Sequence, residues 1–125
     1  MEIILDTNAL IYAARNKIDI QQILKQKFGM LGIYVPNLVI DELKEICKSA
    51  VKAADREAAS IAYQIIKKKG LSLLKLHGPT DHAIAEYAAE KKAAVLTNDL
   101  ALKWILREKG VKVYNIRQNK YIEEW

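Results

Sequence analysis

The chain has 125 residues, 51% of them hydrophobic and 28% charged, with a net charge of +5 and a pI near 9.3. That length suits one domain over 1–125 whose core needs no disulfide, and the basic excess favours a polyanionic partner. No apolar run approaches a membrane span, no basic-then-apolar leader opens the chain and Cys47 stands alone, so a cytoplasmic protein with no membrane partner is expected.

A first strand is predicted over 2–6, where Ile3, Ile4 and Leu5 run directly into Asp6. Helical stretches follow around 8–16 and 18–28. Gly29 and Gly32 break the second before a short strand, Ile33-Tyr34-Val35. Pro36 opens a helix to about Lys48 as a first-turn proline, and a long helix over about 53–69 stops at Gly70. The segment 71–76 reads as a third strand. "GPTDHAIAEYAAEKK" forms a helix capped by Thr80, and "AAVLT" is a fourth strand. A helix over 99–109 stops at Gly110 before a fifth strand, "VKVYNI". Apolar strands separated by helices describe an α/β fold: a three-layer α/β/α sandwich around a central, mainly parallel sheet of about five strands.

In an open parallel sheet, ligands bind at the carboxyl ends of the strands. Asp6 and Asp99 both fall there. Helix capping is the competing explanation for each, and two further acids weigh against capping alone. At roughly 100° per residue, Glu42 lies within roughly 60° of Leu38, Val39 and Ile46, in the middle of an apolar stripe. Asp81 shares a face with Ile84, Ala85 and Ala88 in the same way. An inward carboxylate needs a partner, because desolvating an unpaired charge is unfavourable by several kcal/mol or shifts its pKa. Buried salt bridges could serve one or two such acids, but the basic residues lie largely on outer faces. Four inward carboxylates offer the hard oxygen ligands that Mg2+ or Mn2+ takes.

Four segments in this order, "LDTNALI" at 5–11, "VPNLVIDEL" at 35–43, "TDHAIAEYA" at 80–88 and "VLTNDLAL" at 95–102, resemble the PIN-domain ribonucleases across nearly the whole chain. The family's quartet of acids then corresponds to Asp6, Glu42, Asp81 and Asp99. The resemblance implies a metal-dependent endoribonuclease, with Mg2+ or Mn2+ as cofactor and RNA as substrate, leaving a 5′-phosphate and a 3′-hydroxyl. Asp6, Glu42 and Asp99 are the principal metal-proximal acids on this reading, and Asp81 completes the site. The ending "LREKGVKVYNIRQNKYIEE" looks more like PIN proteins of small-subunit rRNA processing than like typical VapC toxins. Many relatives of that type carry a second acid after the position of Asp81; here it is His82, which hard-ion chemistry disfavours as a ligand.

Asn8, Thr97 and Asn98 are candidates for orienting ligands or water, with turn and capping chemistry as the plainer explanation. Lys103, Arg107, Lys112 and Arg117 are candidates to follow an RNA backbone near Asp99, with ordinary surface charge as the alternative. Neither a Ser-His-Asp arrangement nor a glycine-rich phosphate loop occurs, so catalysis is expected to depend on metal. The alternatives are a VapC-like toxin held by an antitoxin and a PIN fold that binds RNA or protein without turnover. A homodimer, frequent among PIN relatives, is a further expectation. A phosphoacceptor receiver does not fit, because "DTN" supplies one acid where paired acids are needed.

Overall fold

β-branched Ile3 and Ile4, with Leu5, favour an extended chain, and all three are fully buried in strand β1 (Glu2–Leu5). This strand lies inside a sheet of order β3-β2-β1-β4-β5-β6 in the computed structural model, which describes residues 1–69 and 71–125. After β1 come α1 (Thr7–Arg15), α2 (Ile20–Phe28), β2 (Gly32–Pro36), α3 (Asn37–Ser49) and α4 (Ala53–Lys69). The remainder is β3 (Ser72–Leu74), α5 (Thr80–Lys91), β4 (Ala94–Leu96), α6 (Leu100–Glu108), β5 (Val113–Arg117) and β6 (Tyr121–Glu124). β1 to β5 are mutually parallel and β6 runs antiparallel to β5.

Chain direction decides where the helices lie. β2 and β3 are added on one side of β1, then β4 and β5 on the other. Right-handed crossovers therefore send α1, α3 and α4 to one face, where they pack together, and α5 and α6 to the opposite face. Phe28 of α2 meets Tyr114 of β5 edge to face at 5.0 Å, closing the first layer over the far strands. The strand order thus reverses between β1 and β4. Such a switch point leaves a crevice beyond the carboxyl ends of the two strands.

The sheet has six strands, one more than expected. Lys120 N–H donates to Arg117 O at 3.2 Å across a tight turn in which Gln118 and Asn119 have φ of 52° and 62°. Positive φ at both central residues matches the natural twist of a hairpin and directs β6 back along β5. Other expectations need correcting. Pro36 ends β2 and is the N-cap of α3, one place before the first turn. Pro79 occupies the N-cap of α5, so Thr80 is its first helical residue and caps nothing with its side chain. β3 is confined to three residues. The predicted stop at Gly70 lies outside the described residues. Gly110, at φ 73°, follows α6 as expected, a conformation that costs glycine little. Among the described residues no helix is long and apolar enough to cross a membrane.

Candidate active site

β1 and β4 are adjacent, with Leu5 opposite Leu96, and each ends one step before the loop that enters a helix. Asp6 leaves β1 and caps α1; Asp99 leaves the β4 turn and caps α6. Capping and site placement therefore coincide in the same two carboxylates. α3 carries Glu42 and the first turn of α5 carries Asp81. All four acids line one cleft of about 380 Å³, together with Thr7, Asn8, Ile11, Ile46 and Thr80.

Asp6 is 5% exposed and both of its oxygens are engaged. Oδ1 accepts from Ala9 N–H at 2.8 Å, and Oδ2 accepts from Thr97 Oγ1 at 2.5 Å. The Thr97 hydroxyl also accepts from Asp99 N–H at 3.0 Å, so one buried side chain ties the ends of β1 and β4 together. Asp99 Oδ1 takes Ala101 N–H at 2.9 Å and Leu102 N–H at 3.4 Å. Across the cleft, Thr7 Oγ1 donates to Glu42 Oε1 and steers that carboxylate.

Burial pushes the Asp6 carboxyl up to about 7; the hydrogen bonds from Thr97 and Ala9 oppose this, and the charges of Asp99 and Asp81 add to it. Asp81 is also raised, first by burial, then by Asp99 and Glu42, with His82 pulling the other way. Among the described residues none of the four acids forms an ion pair with a lysine, arginine or histidine. The donor set fits a hard divalent cation: carboxylate oxygens only, mutually repelling and not neutralised. The acids ring the cleft without closing on one point. Among the described residues no three His, Cys, Asp or Glu side chains form a ready-made cage.

Other candidates fall around this centre. Asn8 is exposed on the cleft wall, and Thr97 is the buried strap just described. Asn98 uses both ends of its amide on Ile116, donating to O at 3.1 Å and accepting from N–H at 2.9 Å, so it clamps the β4–α6 turn to β5. Lys103, Arg107 and Arg117 lie outside the cleft on α6 and β5. Arg117 pairs with Glu123 at 3.1 Å, and Arg107 lies over the Trp125 ring. His82 is exposed. Thr7 was missed by sequence reasoning; its signal was a hydroxyl residue immediately after the strand-ending acid.

A family profile described as "PIN like domain" matches residues 3–119, which include all four acids. The chain belongs to the PIN-like domain family. Among similar PIN proteins, Ribonuclease VapC4 of Methanocaldococcus jannaschii is 34% identical over 98% of this chain and 95% of its own length. Ribonuclease VapC9 of Archaeoglobus fulgidus is 24% identical over 95% of this chain and 85% of its own. The PIN domain endonuclease Utp24 superposes with a TM-score of 0.80 at 22% identity, covering 98% of this chain and 90% of that one. VapBC2 from Rickettsia felis, solved bound to a promoter DNA fragment, gives 0.62 at 20% identity, covering 92% and 98%. These structural likenesses establish the fold, a PIN sandwich with its crevice at the β1/β4 switch.

Proposed function

We propose that this PIN domain is a divalent-metal-dependent endoribonuclease. The observation that carries the reading is the convergence of Asp6, Glu42, Asp81 and Asp99 on one cleft, with no cationic side chain among the described residues paired to them. Such a cluster stays repulsive until a cation or a proton enters it. The ribonuclease relative at 34% identity supports RNA as the substrate.

Asp6, Glu42 and Asp99 would hold Mg2+ or Mn2+, with Asp81 as a direct or water-bridged fourth partner. A bound ion of this kind lowers the pKa of a water and offsets charge growing at phosphorus. The protein's own part is positional. Thr97 holds Asp6 and the Asp99 backbone in a fixed relation, and Thr7 holds Glu42 toward the cleft. Asn8 stands on the wall where substrate or water enters. In-line attack of a water at phosphorus, with the P–O3′ bond breaking and O3′ taking up a proton, would leave a 5′-phosphate and a 3′-hydroxyl.

Two cellular roles suit this chemistry. The chain's ending favours RNA maturation, with a small-subunit rRNA precursor as the first substrate to try. The VapC4 identity favours a toxin restrained by an antitoxin; a small protein that co-purifies and silences cleavage would identify that role. Either role belongs in the cytoplasm, and a homodimer is compatible with both. The decisive assay is cleavage of labelled RNAs by wild type and Asp6→Asn in Mn2+, Mg2+ and EDTA. Cutting that needs the metal and the carboxylate establishes the nuclease. Absence of both cutting and calorimetric Mn2+ binding would leave a PIN fold that binds without turnover.

A further inference from the structure

Between Leu100 and Lys120 there are six basic residues and one acidic, Glu108, an excess of +5 that equals the net charge of the whole chain. The rest of the molecule is electrically balanced. Its net positive charge is therefore carried by α6, the α6–β5 connection, β5 and the turn before β6.

Two of these bases are organised by aromatic rings. The Arg107 guanidinium carbon lies 3.6 Å from the centre of the Trp125 ring and 5.5 Å from that of Trp104. Lys103 Nζ stands 5.5 Å from the Trp125 ring. The two indoles meet edge to face at 5.1 Å. Trp125 thus fastens the end of β6 to α6, while Trp104 keeps 52% of its surface exposed. Glu123, paired with Arg117, is the acid that faces Lys103.

This patch is continuous with the acidic cleft. Asp99 caps α6, and Lys103 and Arg107 follow it at four-residue intervals, stepping roughly 6 Å each time along one stripe of the helix. A polyanion reaching the cleft meets cations at once on leaving it. A second copy of the chain would bring the same cations against these, so charge disfavours a self-interface.

We propose that α6 and the end of β6 form a binding track for single-stranded RNA flanking the cleft, with a base stacked on Trp104 and phosphates along Lys103, Arg107 and Arg117. The track deepens the nuclease reading and rests on it for its direction, from Asp99 outward. Stacking on an exposed indole requires an unpaired base, because duplex RNA keeps its bases inside. Trp125 and Arg107 act behind Trp104 and hold its ring in place.

The chain contains two tryptophans, both in this patch, so intrinsic fluorescence reports on it directly. The experiment titrates wild type, in EDTA, with an oligouridylate of about twelve nucleotides. Saturable quenching is expected. Trp104→Ala should weaken binding by about 5- to 150-fold, Trp104→Phe should restore most of it, and a duplex of equal charge should bind less tightly. Lys103→Gln should reduce the log–log salt slope by about 0.7, which decides the matter if Trp104→Ala does not fold. The track is overturned if Trp104→Ala binds as wild type, or if it turns a dimer into a monomer in sedimentation with RNA affinity unchanged. Cleavage without any Trp104 effect removes the track and leaves the nuclease. Trp104-dependent binding without cleavage does the reverse.

Discussion

Thr97 and Asp6, 91 residues apart in the chain, share a buried hydrogen bond of 2.5 Å. The same hydroxyl accepts from Asp99 N–H, so one oxygen atom links the Asp6 carboxylate to the Asp99 backbone. Thr97→Val keeps the volume and removes that atom, leaving an Asp6 oxygen and the Asp99 N–H unsatisfied. A loss of about 1–3 kcal/mol is expected in urea denaturation, with Thr97→Ser close to wild type. On the proposed metal-dependent mechanism, cleavage should fall with Thr97→Val by about 10- to 100-fold.

Asp6 gives the protein a pH dependence of unusual sign. Its folded pKa, about 7, exceeds the ordinary 3.8, so between these values the native state binds a proton that the unfolded state does not. Stability therefore falls as pH rises from about 4 to about 7, by up to about 4 kcal/mol, and the raised Asp81 works in the same direction. Denaturation in EDTA at several pH values should show this slope, and Asp6→Asn should flatten most of it. A divalent cation should restore stability at the upper end of the window.

Capping and chemistry can be separated at Asp99. Asn caps helices as well as Asp does, so Asp99→Asn should retain α6 and its stability while losing the charge. Asp99→Ala should lose both, at about 1 kcal/mol of stability. Equal loss of cleavage in the two variants, with only the second less stable, is the expected pattern.

Thr7 provides a milder case. Its hydroxyl holds Glu42 at a half-buried position, so Thr7→Val should change stability by only about 0.5–1.5 kcal/mol. Mn2+ affinity by calorimetry should fall by about tenfold or more, because Glu42 loses its fixed orientation.

That the four acids come together in one cleft was readable from sequence because each breaks a local rule. Two end apolar strands, and two interrupt the apolar stripe of a helix. At Asp99 capping does not compete with a place in the cleft as the sequence suggested, because a carboxylate has two oxygens: Oδ1 takes the helix N–H groups and Oδ2 is free of them. β6 was not readable, since its turn contains no glycine and uses Gln118 and Asn119 in left-handed conformations. The surroundings of Arg107 and Lys103 were hidden for the same reason, because Trp125 reaches them only once β6 has folded back. Pairings such as Thr7–Glu42 and Thr97–Asp6 leave no local pattern at all.

The position of β1 beside β4 also governs when the cleft can exist during synthesis. Asp6 emerges among the first residues, but its strap and its partner Asp99 arrive only after most of the chain has been made. A ribosome-bound fragment ending before β4 carries three of the acids without the strand that aligns them. Chemistry that depends on this cleft is therefore silent in the nascent protein, and it begins only when the two distant strands zip together.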